Sequence, residues 1–474
     1  MKAALTIGAY EARSVLASAQ RSVNLYMEPN PKDSPFPYML YPMPGLVTVV
    51  TAVPNIADGW RGLYWATNDR GYGVCGDTMY AIDENMALHE LGQLSSYQGI
   101  VHMVDNGTTL IVVDGTPNGY QVTLADDSFA LINQGAFYGA DYIDMVDGFF
   151  VLNRPNTSQW YISLNNQASF DATDFASKNG FPDKVVGVGV ARRYLYLFGQ
   201  LTSEVWFNAG NTAFPFERLP GVFMQYGCMN ANTIAQMDGD FCWLARSEQG
   251  DRIICRAQQF QATKISTFAM DNEIAGYDTV DDAFAYTFQS LGHTFYVITF
   301  PTAQKTWCYD LSTEQWCEWL SIDENGKFQR HRSNCYALLY GRRIVGDFEN
   351  GNLYAVEPEA YLDNGQPIPR LRGFYHGVDD DSSRLSYREF IADMEVGNGA
   401  GNVEVPLYLR WSDTRGKSWG NAIETSLGLE GEYIKSLQFQ RLGMARDRVF
   451  ELWWSAPVRT ALSGAWVQVS KNNE

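Results

Sequence analysis

Between roughly residues 60 and 350 the chain repeats one pattern of apolar and polar positions. A short apolar run ends in a tight polar turn, and a second run rich in aromatic and β-branched residues follows. Met103-Val104-Asp105-Asn106-Gly107 leads into Leu110-Ile111-Val112-Val113. Met145-Val146-Asp147-Gly148 leads into Phe149-Phe150-Val151-Leu152, and Met237-Asp238-Gly239-Asp240 into Phe241-Cys242-Trp243-Leu244. Asn-Gly and Asp-Gly between such runs predict hairpins, because the turn requires residues that tolerate positive φ. Looser copies turn at Arg192-Arg193 before Tyr194, at Gly292 before Phe295, at Gly341-Arg342 before Ile344, and near Gly71 before Tyr72. The turns near 71, 107, 148, 193, 239, 292 and 341 lie roughly 36 to 53 residues apart, which suits one four-stranded blade of a β-propeller. Seven turns give seven blades, or six if the last copy is incomplete. The fold class is therefore all-β, with a β-propeller over 56–362.

A ring of blades has no natural seam, so a terminal strand is expected to close it. Phe36-Pro37-Tyr38-Met39-Leu40-Tyr41 is the candidate, within an N-terminal assembly segment over 1–55. Its prolines would confine it to an edge. Asn364-Gly365-Gln366-Pro367-Ile368-Pro369 reads as a linker, after which the long period stops. Shorter strands with period-two alternation follow: Phe390, Ala392, Met394 and Val396; Val403, Val405, Leu407, Leu409 and Trp411; Phe450, Leu452 and Trp454; Ala465, Val467 and Val469. Such alternation marks half-buried antiparallel strands and predicts a C-terminal β-sandwich over 363–474.

The composition agrees with an all-β chain that buries a large core: 46% hydrophobic, 14% aromatic, 42 glycines in 474 residues. The formal charge of −19 and the lack of a Lys/Arg run argue against a grip on nucleic acid through phosphate neutralisation. An acidic wall past which DNA slides remains compatible, because like charges repel. The seven cysteines include no C-x-x-C pair, and several sit in apolar runs, so they read as small buried hydrophobes of a reducing compartment. The N-terminus has no sustained apolar stretch and no run of about 18 apolar residues occurs, so neither a secretory signal nor a membrane anchor is expected. Folding in a cytoplasm follows from these readings.

Candidate chemistry is sparse. Ser412-Asp413-Thr414-Arg415-Gly416-Lys417-Ser418-Trp419 is close to the Asp-box hairpin S-x-D-x-G-x-T-W, with the Asp one place early and Ser in place of Thr. It is expected to be structural through Ser412, Asp413, Gly416 and Trp419. The Asp-box recurs in sialidase propellers, which keeps a glycan-active or glycan-binding propeller open as the alternative. The early Arg-Ile-Pro motif of that class is absent, and no carboxylate pair stands out for glycosidase chemistry. Asp379-Asp380-Asp381 lacks the spacing of a calcium loop. His89, His102, His293, His331 and His376 lack metal-ligand spacing. Gly187-Val188-Gly189 begins like a dinucleotide fingerprint but lies between two strands, with no helix to receive a pyrophosphate. No catalytic residue, metal ligand or cofactor is expected, and the chain reads as a scaffold.

Several stretches, in order along nearly the whole chain, resemble the packaged-DNA stabilisation proteins of short-tailed bacteriophages, also called tail hub or nozzle proteins. They are Ala12-Arg13-Ser14 through Ala19-Gln20-Arg21-Ser22-Val23-Asn24-Leu25-Tyr26-Met27-Glu28, then Pro44-Gly45-Leu46. Phe198-Gly199 through Ser203-Glu204-Val205-Trp206-Phe207, Phe214-Pro215-Phe216 and Tyr226-Gly227-Cys228 follow. Ser412 to Trp419, Gly431-Glu432-Tyr433, Arg441-Leu442-Gly443 and Ser455-Ala456-Pro457-Val458 complete the set. The resemblance implies a virion tail protein that forms a ring, commonly of six copies, and continues and closes the DNA channel. It implies head-to-tail adaptors and a tailspike, fibre or needle as partners, with DNA passing through the lumen without sequence-specific binding. Asn24, Leu25 and Tyr26 are the expected assembly residues.

Overall fold

The structure is a computed structural model that describes residues 2–3, 19–376, 384–398 and 404–471. Seven antiparallel sheets follow one another, with four strands in each blade as the period predicts. They span 60–93, 102–131, 143–177, 185–218, 227–264, 284–318 and 333–357 and are called blades 1 to 7. Each blade opens with a hairpin whose turn holds positive φ, at Asp69, Gly107, Asp147-Gly148, Arg192-Arg193, Asp238-Gly239, Leu291-Gly292 and Tyr340-Gly341. The first turn falls just before Gly71, which instead lies within the strand Arg70–Cys75. The apolar faces of neighbouring blades fill the core between them. Blades 1 and 2, for instance, share Tyr72, Val74, Leu110, Val112 and Val122.

The closing strand is Gly45–Thr51. It pairs antiparallel with Asn352–Glu357 and so supplies the fourth strand of blade 7. Trp60 of blade 1 completes the seam, its indole nitrogen donating to the Gly351 carbonyl at 2.8 Å. Gly346 admits this ring, since a Cβ there would come within 2.2 Å of the Trp60 Cβ. The expected closing strand lies elsewhere. Tyr38–Pro42 pairs with Leu25–Pro29 and touches Leu462 of the last strand, so this hairpin joins the C-terminal part of the molecule.

That C-terminal part packs two sheets around Phe374, Phe390, Leu407, Leu409, Phe439, Phe450, Leu452 and Trp454. One sheet contains Leu25–Pro29, Tyr38–Pro42, Leu462–Lys471, Leu385–Met394 and Leu437–Gln440 in spatial order. The other is continuous with blade 6. Ser22–Val23 pairs in parallel with Glu318 of that blade and antiparallel with Leu371 and Arg372, which lie in Arg370–His376. Nine strands thus form one hydrogen-bonded sheet across both parts. The expected Val403, the His376 side chain and the Asp379 to Asp381 cluster fall outside what the structure describes.

Asn24 locks this join. It is fully buried, with φ of 56°, a conformation open to Asn at lower cost than to most residues. Its Nδ2 donates to the carbonyls of Leu320 and Pro369, both at 2.8 Å, and its Oδ1 accepts from the Leu320 amide at 2.8 Å. Its backbone amide donates to the Glu318 carbonyl, and its carbonyl accepts from Met43. Replacing Asn24 by Ala strands several buried polar groups at once and is expected to lower stability by about 3 kcal/mol. Chemical denaturation of both proteins measures this, and a loss within about 0.5 kcal/mol would contradict the account.

Candidate functional site

Two places concentrate polar groups: the propeller axis and the join between the propeller and the C-terminal sheets. At the axis, the inner strand of blade 5 is split. Gly227–Cys228 and Ala235–Met237 both pair with Asp240–Arg246, and a 3-10 turn, Ala231–Thr233, separates them. Asn230 caps this turn by accepting from the Asn232 amide, while its Nδ2 donates to the carbonyls of Asp281 and Ala283. The interruption carries Asn232 to the axis. There its Oδ1 lies 2.8 Å from Nε2 of His102, on the inner strand of blade 2. Blades 2 and 5 are not neighbours in the ring, so this contact crosses the passage. Tyr142, beside blade 3, packs its ring 4.1 Å from His102 and donates to the Ile234 carbonyl at 3.4 Å. These three side chains close the axis. Burial pushes His102 down to about 4, so the imidazole is neutral at physiological pH.

Above the plug lies a cavity of about 530 Å³ whose lining includes Asp114, Asp141, Lys184, Gln200 and Asp281. Asp114 is tied by Ser96 and Thr116, and Asp141 by Asn153. Burial raises the Asp141 carboxyl. Among the described residues of the lining, Lys184 is the only cation, and no arginine joins it there. Among the described residues no group of three or more His, Cys, Asp or Glu side chains gathers as metal ligands. Gly187 and Gly189 serve packing, since a Cβ at each would strike Ile234 and Phe241 of blade 5. All seven cysteines are buried and free, and burial lifts the thiols of Cys75, Cys228 and Cys255 to about 12.

The hairpin at 412–419 works differently from an Asp-box. The Ser412 hydroxyl accepts from the Gly416 amide at 2.9 Å and the Thr414 amide at 3.3 Å, so Ser412 fastens the turn. Gly416 adopts φ of 79°. The displaced Asp413 is thereby free to hold Arg448, with contacts of 2.6 and 3.0 Å to a guanidinium only 1% exposed. Trp419 lies against Arg410, 4.7 Å from its ring centre. Ser412 and Gly416 thus shape the turn, while Asp413 and Trp419 tie it to the C-terminal sheets.

The expected assembly residues Asn24, Leu25 and Tyr26 are buried within the chain. Sequence reasoning assigned them to contacts with other subunits, but their side chains face inward, because the segment fills the space between the two parts. Leu25 enters the C-terminal core, and Tyr26 packs edge-on against His293 and Phe295 of blade 6. Alongside, Arg21 contacts Glu318 at 2.6 and 3.1 Å, and Lys305 adds a contact at 2.9 Å. Burial alone would raise the Glu318 carboxyl, but Arg21 and Lys305 hold it below its ordinary value.

His293 places a titratable group at this join. Its Nδ1 lies 2.8 Å from Asp310, and its Nε2 faces Glu28 of the N-terminal hairpin at 3.8 Å. The Asp310 hydrogen bond raises the imidazole above its usual range despite burial. A histidine raised in the folded state contributes stability fully below the unfolded value, about 6.5, and loses it as pH rises through the folded value. The stability difference between the unaltered protein and His293→Gln is therefore expected to be largest on the acid side and to shrink towards alkaline pH. Urea unfolding midpoints across this range check it, and a difference that grows with pH would contradict it.

The family model described as "Bacteriophage P22 Gp10, beta-propeller" matches residues 1–361. No curated protein matches the chain. Two solved structures are similar to it over 66% of its length, covering 99% of each of those chains. One is the structure of U3-55K, at 8% identity and a TM-score of 0.43. The other is the crystal structure of the computationally designed Ika8 protein, at 9% identity and a TM-score of 0.41. With its model matched across the N-terminal strands and all seven blades, the chain belongs to the bacteriophage β-propeller family of P22 Gp10.

Proposed function

We propose that this chain is a structural protein of a short-tailed phage tail, forming a ring that continues the DNA channel and retains the packaged genome. The family match carries this reading. The closed propeller axis gives it a physical form. With His102, Tyr142 and Asn232 meeting across the axis, duplex DNA has no path through one subunit. A DNA-wide lumen is then made between copies, with the propeller as a solid wall segment. The charge of −19 suits a wall that DNA passes without adhering, since repulsion suppresses binding. The chain acts as building material and catalyses nothing. Its partners are head-to-tail adaptors on one side and a tailspike, fibre or needle on the other, in the virion tail.

Two measurements test this. Native mass determination is expected to find a ring of about six copies of the 53.3 kDa subunit, alone or on its adaptor ring. Particles assembled without the chain are expected to package DNA and then lose it to added nuclease, with retention restored by the purified protein. A strict monomer under all conditions, together with full DNA retention in its absence, would overturn the proposal.

A further inference from the structure

The outer face of the C-terminal sheet that contains Leu385–Met394, Leu437–Gln440 and Leu462–Lys471 is polar and open, yet it has an apolar centre. Trp466 is 43% exposed and sits between Lys2 of the short strand Lys2–Ala3 and Ile391, which in turn faces Gln438. One step along the strands, Glu389 lies between Gln440 and Gln468. Here an open groove of about 580 Å³ is lined by Arg388, Glu389, Gln440, Arg441 and Gln468 among others. The two arginines are brought together because the Arg441 amide donates to the Arg388 carbonyl at 3.2 Å. Both are exposed, and among the described residues neither has an ion-pair partner. By contrast Arg21, Arg332, Arg410 and Arg448 all meet carboxylates.

We propose that this face is a contact between copies of the chain, in which Trp466 and Ile391 form the apolar centre and Arg388 and Arg441 receive carboxylates of the neighbouring subunit. The inference rests on the ring reading and names a surface for it. Charge complementarity selects the occupant. With 54 Asp and Glu against 35 Lys and Arg, a second copy carries an excess of carboxylates to meet this arginine pair. The composition is that of an interface centre, where Trp and Arg are enriched, with Gln side chains at the rim able to bond. The same chain exposes apolar side chains beside this sheet, with Ile434 99% exposed and Tyr433 69% exposed in the loop before Leu437–Gln440.

The test compares the full chain with Arg388→Glu/Arg441→Glu and with Trp466→Ala by analytical ultracentrifugation over a range of concentrations and salt. All three substituted side chains are exposed, and circular dichroism checks that the fold is kept. Each variant is expected to weaken self-association at least tenfold, and added salt is expected to weaken the unaltered protein but not the charge-reversed one. Hydroxyl-radical footprinting of the unaltered protein gives a second readout that needs no substitution: Trp466 is expected to be several-fold less reactive in the assembly than in the dilute monomer. Folded variants that assemble as the unaltered protein does, or a Trp466 equally reactive in both states, would overturn this inference and leave the ring standing. An unaltered protein that stays monomeric both alone and on its adaptor ring, with DNA fully retained in its absence, would overturn the ring reading itself.

Discussion

The architecture depends on a short N-terminal stretch that lies between two bodies and hydrogen-bonds to both. Ser22–Val23 fills the gap between blade 6 and Arg370–His376, and Asn24 then turns the chain at positive φ. From that point the hairpin of Leu25–Pro29 and Tyr38–Pro42 enters one C-terminal sheet, and Gly45–Thr51 returns to close blade 7. A buried amide side chain that makes three hydrogen bonds has little freedom to shift register, because each displaced bond leaves a dry polar group behind. Arg21, Glu318 and Lys305 add a buried ionic contact at the same place. The propeller seam and the placement of the C-terminal sheets are therefore two consequences of one arrangement.

Much of the fold was legible in the sequence because blades advertise themselves locally. A turn that needs positive φ selects Asp-Gly or Asn-Gly, and the runs on either side fill the interblade core. The closing strand was misjudged because Phe36 to Tyr41 and Gly45 to Thr51 are both strand-like. The β-branched run Val47-Thr48-Val49-Val50-Thr51 is the better signal for a strand paired along its length. Asn24 stood inside a recognisable motif, but its partners lie 296 and 345 positions away, and no local pattern reports such pairings. The same holds for His102 and Asn232, 130 positions apart. A polar residue on an inner strand hints at the axis without saying what it meets there. Asp413 illustrates a subtler limit. Its displacement by one place looked like a defect in a turn motif, whereas Ser412 fastens the turn and Asp413 satisfies an arginine that only the folded sheets bury.

The axis and the outer surface divide the work of the molecule. Inside, aromatic and amide groups meet across the passage and make the propeller a solid body. Outside, charge and a few exposed apolar groups are the features another molecule would meet. The shifted groups Glu318 and His331 lie inside the fold, Glu318 held down by Arg21 and Lys305 and His331 pushed down by burial.

The continuity of hydrogen bonding from blade 6 through Ser22–Val23 to the C-terminal sheets also governs the order of events at the ribosome. Apart from the local hairpin of Leu25–Pro29 and Tyr38–Pro42, the N-terminal strands cannot find their partners until residues 318–320, 352–357, 369–372 and finally 465–466 have emerged. Blades 1 to 5 consist of local hairpins and can form as they appear, whereas the segment around Asn24 must wait for nearly the whole chain. Closure is thus a late step, and a product interrupted before residue 352 carries an open wheel with unpaired strand edges, the kind of surface that aggregates or attracts proteases.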